Sequence, residues 1–512
     1  MRTNRQIPNI LIGIYIDHRN NYGPAQVEHH PNQIDMPKDN TVKQALRWMM
    51  LGRGITQTVN WLVTLLVIRI LAPADYGLLA MAMILISAAQ MLKDMGLQQA
   101  LVQSTEPEEK TVRQVFSALQ IVNWFIFLAL LIAAPYASTY FGEPALVDII
   151  RVLAFQFPIL ALQGVPSAML SRGMNFKSQA MIGATGAIVN SLVTLTLALL
   201  GYGVWSIILG NMAGTIAKVL QYGRLERIFY APTLDFKGFS SLFSFGGIVM
   251  ASSLLHYIQM RSADIMVGKV LGKESLGIYN VSNRLGTLPM QKITGILTGV
   301  GFAAFSKIQH DPDLVKANYL RMQAILTFFA FPVFWGIASV TDSLVHVVLG
   351  DKWLAAIIPL QTIAIAAPLR MIFNTTSPAL YGTGRPGIVF TNLLLSAAVM
   401  PLAFYIGLNW GVDGVARAWL FCYPLLFIIM QFRSLRALGI RAKDFYLTIY
   451  RSVIIALSML IGLYFCNQLL VSLEVSSILR LSILSLTGML YYIGLSFIVN
   501  TKVFKESQRL II

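Results

Sequence analysis

The sequence predicts an all-α membrane protein of about 14 transmembrane helices. Two parallel-repeat six-helix lobes surround a central cavity, and two extra helices follow at the C-terminus. Three observations predict it. Of 512 residues, 56% are hydrophobic and 12% charged, about half the charge of a soluble domain, and the mean hydropathy is +0.65. Basic residues collect in every second connection between the apolar runs. Short polar turns recur at fixed offsets in the two halves of the chain.

The apolar runs are too many and too long for core helices, since crossing the hydrocarbon takes about 20 apolar residues. A transmembrane barrel would show short alternating segments instead. The formal net charge of +16 would suggest nucleic acid in a soluble protein. Here the Lys and Arg lie in connections, as the positive-inside rule requires, and nucleic acid is not an expected partner. Cys422 and Cys466 both fall in apolar runs, with no CxxC spacing and no disulfide framework. Six scattered histidines give no paired ligand spacing, so no metal and no cofactor is expected.

Residues 1–40 have an apolar core too short for a secretory signal and read as a disordered cytoplasmic extension. Translation from Met36 is an open alternative, since MPKDNTVKQALRWMM makes an ordinary entry to a first span. Spans are expected near 48–71, 76–98, 112–134, 146–170, 178–200, 204–222, 240–270, 276–304, 319–340, 355–380, 388–407, 412–432, 446–468 and 478–500. Even-numbered connections and the C-terminal tail carry nineteen basic residues, Arg172, Arg227, Lys307, Arg385 and Arg436 among them. The odd-numbered connections carry Lys273 and Lys352 only. That alternation puts both termini in the cytoplasm.

At an offset of 200, LAPADYGLL (71–79) matches LGKESLGIY (271–279); at 208, FGEPAL (141–146) matches LGDKWL (349–354) and GYGV (201–204) matches NWGV (409–412). The matches keep their order and fall in equivalent outer connections, so the unit is six helices used twice. An even number of spans gives halves of like orientation, related by an axis along the membrane normal. Domain boundaries follow: 41–235 is the N-lobe, 236–440 the C-lobe, and 441–512 two further helices with a cytoplasmic tail. In the first hairpin Pro73 and Asp75 should end one helix and cap the next, with Gly77 permitting a tight return. The hairpin reads as a marker of the membrane surface and not as a binding motif.

Gly382-Thr-Gly384-Arg-Pro-Gly387 spells the dinucleotide fingerprint but joins two membrane helices, where no strand precedes it to aim backbone amides at a pyrophosphate. No GxxxxGK[ST], catalytic triad or carboxylate pair occurs, and an enzyme is not expected. The informative residues are charges inside spans, which are costly there and face a cavity or a partner. Arg261 lies ten residues before the connection at Leu271, about 15 Å deep. Arg284 sits at similar depth on the next helix, and Arg370 is again near mid-depth. Arg417 and Lys292 lie nearer the outer and inner sides. Asp264, one turn from Arg261, is the comparably deep acid. One reading pairs Asp264 with Arg261 structurally and lets the other cations snorkel. The other makes a net-positive cavity for an anionic group such as a diphosphate, which the Arg fork suits. Gln57, Asn60 and Asn123 could bond a hydroxyl-rich cargo or serve as interhelical glue.

Arg69-Ile-Leu-Ala-Pro-Ala-Asp-Tyr-Gly-Leu78, then Lys93-Asp-Met-Gly-Leu97 and Ala100-Leu-Val-Gln103, resemble the first hairpin of bacterial polysaccharide flippases of the multidrug/oligosaccharidyl-lipid/polysaccharide exporter superfamily. The nearest likeness is the Wzx-type subgroup that includes colanic acid and teichuronic acid exporters. The resemblance covers roughly 40–500; the N-terminal extension departs from it. It implies a bacterial inner-membrane protein that moves a polyprenyl-diphosphate-linked glycan to the outer leaflet by alternating access. It leaves open proton or sodium coupling and contact with polysaccharide polymerase or glycosyltransferase machinery. Two alternatives share the fold: a flippase of a lipid-linked peptidoglycan precursor, and an ion-coupled multidrug exporter. The second needs a cavity acid, which the first half lacks within its spans.

Overall fold

The computed structural model describes residues 57, 60–93, 97–103, 108–233, 235 and 240–511; across 240–259 and 292–300 only Tyr257 and Thr294 have described side chains. The expected N-terminal extension and the Met36 alternative lie outside the described residues. Hydrocarbon offers a peptide group no partner, so a spanning chain this apolar must close its backbone bonds within each segment. Helix accordingly follows helix, and no strand occurs among the described residues.

The first half runs through α1 (Asn60–Ile70), α2 (Pro73–Leu92), α3 (Leu97–Gln103), α4 (Glu109–Phe141), α5 (Leu146–Ala154), α6 (Gln156–Arg172), α7 (Phe176–Leu199) and α8 (Val204–Leu225). The second half runs through α9 (Ser240–Gly286), α10 (Leu288–Lys307), α11 (Pro312–Leu344), α12 (Ile357–Gly382), α13 (Pro386–Gly407) and α14 (Gly411–Ala437). Then come α15 (Ala442–Ser472), α16 (Ser477–Val499) and α17 (Thr501–Ile511). Among the described residues nine segments are long and apolar enough to cross a membrane, α13 and α14 together counting as one.

The helices occupy the stretches expected for spans, with four differences of local cause. The expected span 146–170 breaks at Phe155 into α5 and α6. The expected span 276–304 breaks at Thr287, where Pro289 in the first turn of α10 has no N–H to return to the turn before it. The spans before and after 271–275 run into one another as α9, bent at Gly272 with φ 80°, a value that glycine adopts without strain. The expected tail is helical as α17, and its Glu506 pairs with Arg321 of α11.

The most extensive helix contact among the described residues joins α2 to α9, one from each half. The repeated turn forms one end of it, and it continues along α2 to Ile84, whose carbonyl accepts from Tyr257 of α9 at 2.7 Å. Gly77 does not tighten the hairpin as its position suggested, because it lies inside α2. A Cβ built on it would stand 1.7 Å from the Lys273 carbonyl oxygen, and a Cβ on Gly277 1.8 Å from the Pro73 carbonyl oxygen. These two contacts are copies of one another at the 200-residue offset. Each glycine admits the other hairpin's backbone, the role small residues play where membrane helices must approach closely.

The second repeated turn joins the same seam crosswise. Lys273 pairs with Glu143 at 2.9 Å, so the FGEPAL loop of the first half meets the hairpin of the second. Reciprocally, the LGDKWL loop meets the first hairpin. There Lys352 Nζ donates to the Ile70 carbonyl at 3.1 Å and Trp353 Nε1 to the Ile68 carbonyl at 2.9 Å. Arg69 Nη1 adds a bond to the Val347 carbonyl at 2.6 Å. Both lysines of the odd-numbered connections are therefore spent across the seam. Beneath them Val67, Ile68, Leu71 and Tyr76 pack on Ile278, Val281 and Trp353, with the Tyr76 and Trp353 rings edge-on at 5.6 Å. Asp75 does cap its helix: the Ala72 N–H donates to Oδ2 at 3.0 Å, and the Val204 N–H to Oδ1 at 3.0 Å. One carboxylate thus serves the N-termini of α2 and α8, where the helix dipole favours it.

At the opposite end bonds join elements of the first half. Lys110 pairs with Asp235 at 2.9 Å and Arg113 Nε donates to the Ala231 carbonyl at 3.0 Å. Lys316 of α11 pairs with Asp444 of α15 at 2.7 Å, joining the second half to the helix that follows it.

Candidate functional site: a basic, aromatic pocket beside the seam

The second arm of α9, beyond Gly272, carries Gly277, Val281 and Arg284 at spacings of four and three, which puts them on one helical face. The first two pack on α2 at the seam. Arg284 continues that face toward the bilayer interior, is exposed, and lies within electrostatic reach of Tyr76. Its neighbour Asn283 points the other way. Asn283 Oδ1 accepts a bond from Arg370 Nη1 at 3.3 Å, tying α9 to α12. The Arg370 guanidinium lies 3.9 Å from the Trp419 ring centre, close enough for a cation–π contact. Trp419 Nε1 donates to the Tyr279 hydroxyl at 2.9 Å, which fixes the indole. Trp419 is 8% exposed and Tyr279 1%. Among the described residues no carboxylate pairs with Arg370 or Arg284.

An unpaired guanidinium inside the membrane is expensive unless its donors are used. Asn283 occupies one donor and Trp419 covers one face, so several N–H groups of Arg370 remain for a ligand. Phosphate oxygens are what a guanidinium fork fits best. Arg284, on the other side of α9 from Asn283, is a separate cation facing the seam beside Tyr76.

Arg261 is placed differently. Its Nη1 lies 2.7 Å from Asp264 Oδ2, the structural pairing that the sequence left open. Its guanidinium lies 5.7 Å from the Tyr257 ring centre. Tyr257 in turn donates to the Ile84 carbonyl of α2 at 2.7 Å, so this pair also borders the junction of the halves. The Tyr279 hydroxyl is within electrostatic reach of both Asp264 and Arg370 and links the two groups. Because Asp264 compensates Arg261, the uncompensated charge of the region rests on Arg284 and Arg370. Substituting Asp264→Asn should leave Arg261 without its counter-charge, and uncoupling such a pair costs about 3 kcal/mol. The expected outcome is a lower melting temperature and less protein in the membrane, both restored by Arg261→Leu/Asp264→Leu; an unchanged melting temperature would remove the structural role.

The remaining expected site residues are not brought together here. Arg417 is exposed on α14 in line with Phe421 and Leu425, opposite the face that buries Val415, Trp419 and Tyr423. A helix cannot turn residues 417 and 419 the same way, so Arg417 does not join Arg370. The Lys292 side chain lies outside the described residues. Asn60 Oδ1 accepts from Ser191 Oγ at 2.7 Å, and Asn123, 2% exposed, donates to the Lys93 carbonyl at 3.0 Å and the Leu119 carbonyl at 2.8 Å. Both act as interhelical or intrahelical glue. Gln57 is exposed.

Sequence reasoning missed the aromatic frame of Arg370 and three charges within helices. Lys218, on α8, has its stem against Gly186, where a Cβ would come within 2.4 Å of it; charge in the spans is therefore not confined to the second half. Arg480 pairs with Asp342 at 2.8 Å. Lys269 donates to the Tyr140 carbonyl at the seam. All lie within or at the edge of apolar runs and could have been found by the same rule that found Arg261.

The family described as "Polysaccharide biosynthesis protein" matches residues 66–358. The teichuronic acid biosynthesis protein TuaB of Bacillus subtilis is 27% identical over 307 residues, 59% of this chain and 63% of that protein. The succinoglycan biosynthesis transport protein ExoT of Rhizobium meliloti is 26% identical, covering 74% of this chain and 77% of that one. The lipopolysaccharide biosynthesis protein WzxC of Escherichia coli is 22% identical, covering 81% and 84%. In fold, a lipid II flippase MurJ in an inward closed conformation superposes with a TM-score of 0.66 at 16% identity, covering 87% of this chain and 98% of that chain. An inward-facing multidrug transporter of the MATE family gives 0.55 at 17% identity, covering 75% and 95%. The match to TuaB spans just under two thirds of that protein, whereas those to ExoT and WzxC span more. The expected family and the all-α membrane fold are borne out: this chain belongs to the polysaccharide biosynthesis protein family.

Proposed function

We propose that the chain is an inner-membrane flippase for a polyprenyl-diphosphate-linked oligosaccharide or polysaccharide repeat unit. It moves that lipid to the outer leaflet for the assembly of lipopolysaccharide, capsule or exopolysaccharide. The observation that carries the reading is the Arg370 cluster: a half-buried guanidinium, framed by Trp419, Tyr279 and Asn283, with no carboxylate paired to it among the described residues. A diphosphate supplies the missing counter-charge. The relatives support the cargo class, since each named above is a polysaccharide biosynthesis or transport protein.

In this reading the two halves are lobes, both termini are cytoplasmic, and the seam is the closed outer gate of an inward-facing state. The headgroup enters from the cytoplasm and replaces water around Arg370 and Arg284. The lobes then part at the hairpins and close at the other end. Parting the seam separates the paired glycine contacts and exposes the apolar cluster of Val67, Ile68, Tyr76, Ile278 and Trp353 beneath them. Binding moves the equilibrium only by the difference in affinity between the two states, which requires the cations to lie where the lobes meet. Arg284 does.

The test is leaflet-resolved accumulation of polyprenyl-linked glycan in cells lacking this protein. Build-up on the cytoplasmic leaflet, relieved by restoring the chain, is the expected result. Normal crossing of the glycan with new sensitivity to cationic drugs would instead support a multidrug exporter. Build-up of a peptidoglycan precursor alone would reassign the cargo.

A further inference from the structure

Away from the seam, α14 and α15 border a groove at the end that carries the connection between them. Between them Ile428, Ile429, Phe432 and Tyr446 line an apolar groove of about 290 Å³, with Arg433 at its edge. Ile428, Ile429, Phe432 and Tyr446 are all exposed, so in a bilayer this groove opens to lipid. Arg433 is four residues and Ile428 nine from the last residue of α14, Ala437. The groove therefore runs from about 6 Å to about 14 Å inward from the helix end, the depth of a phosphate and the first part of its acyl chain.

Charge complements the shape. Arg433 Nη2 donates to Thr391 Oγ1 of α13 at 2.8 Å, which holds the guanidinium in place and leaves its other donors available. No carboxylate pairs with it among the described residues. The acid at the start of α15, Asp444, is taken by Lys316 at 2.7 Å and Arg441 at 3.3 Å. Exposed Arg436 adds a further cation one turn from Arg433 on the surface of α14. A basic edge on an apolar, lipid-facing cleft at headgroup depth is a recurrent form of anionic-lipid site.

We propose that this groove seats one acyl chain of an anionic phospholipid, with the phosphate on Arg433. A zwitterionic lipid would fill the groove equally well but would bring its own cation toward Arg433 and Arg436. The site is separate from the Arg370 pocket and does not depend on the transport reading; only its assignment to the inner leaflet does.

The test uses the purified full chain in detergent, titrated with dioleoylphosphatidylglycerol or dioleoylphosphatidylcholine, with bound lipid counted by native mass spectrometry. Phosphatidylglycerol should bind about fivefold tighter, the factor that one interfacial arginine adds toward an anionic lipid. Arg433→Gln should erase that preference and Arg433→Lys should keep most of it. Ala442→Trp, which fills the groove and leaves the charge, should weaken both lipids. Equal binding of the two lipids to the unaltered chain would overturn the proposal, as would a preference that survives Arg433→Gln. Should Arg433→Gln melt early, full phosphatidylglycerol binding by Ala442→Trp would overturn it independently. Exclusive capture of a polyprenyl diphosphate added in competition would assign the groove to cargo and overturn the phospholipid reading.

Discussion

Gly77→Leu is expected to abolish export while the protein still reaches the membrane. At this position even a Cβ would stand 1.7 Å from the Lys273 carbonyl oxygen. The obstacle is backbone, which cannot rotate away as a side chain would. Overpacking of this kind costs roughly 1–3 kcal/mol, and here the cost falls on one state only, the one with the seam closed. The closed-to-open ratio should therefore drop by about 5- to 150-fold. Gly277→Leu should behave alike, since its Cβ would meet the Pro73 carbonyl oxygen at 1.8 Å. A cysteine at Val281, 1% exposed beneath the seam, reports the change through its labelling by a membrane-impermeant maleimide, expected to be at least about fivefold faster in either variant. Gly494→Leu is the control, because nothing lies within 4 Å of a Cβ there. Unchanged labelling and export in Gly77→Leu would show that the seam is not a gate.

The second large effect is expected at Arg370. Arg370→Ala should lower export by about 10- to 100-fold, the range for losing one charge-assisted hydrogen bond of about 1.5–3 kcal/mol. Membrane levels should hold, because among the described residues no acid is left unpaired by the change. Arg370→Lys should recover part of the activity by charge, and less than the whole because an ammonium lacks the fork. Trp419→Leu should resemble a milder Arg370→Ala, since the indole positions the guanidinium. These variants separate binding from folding when export is read beside photo-crosslinking to a polyprenyl-diphosphate glycan. Normal crosslinking by Arg370→Ala would remove Arg370 from the cargo site.

Much of this was legible in the sequence. Hydropathy and alternating charge fixed where the helices lie, because a membrane imposes length and apolarity on each of them separately. The repeated turns were legible as a repeat, and their contact with one another was not. What they do depends on contact between residues 200 apart, and a single chain read in order does not show that LAPADYGLL and LGKESLGIY face each other. Gly77 was placed in a turn for the same reason: a glycine that frees the backbone and a glycine that admits a neighbour look alike in one dimension. The charged residues divided by how much context they need. Arg261 and Asp264, one turn apart, offered a structural pairing as one of two readings, and the structure makes it. Arg370 was found as a costly charge, but its partners Asn283, Trp419 and Tyr279 come from two other helices. Arg417 was grouped with it as another charge within a span, and a charge's place in the sequence of a span does not show which neighbour its helix face meets.

The most direct test of the central claim is transport by the purified chain in proteoliposomes loaded with a polyprenyl-diphosphate oligosaccharide, its leaflet distribution read by a sugar-oxidising reagent that cannot cross the bilayer. Rapid equilibration between leaflets by the unaltered chain, lost in Gly77→Leu and in Arg370→Ala, is the predicted result. Equilibration that persists in both variants, or that never exceeds empty liposomes, would contradict it.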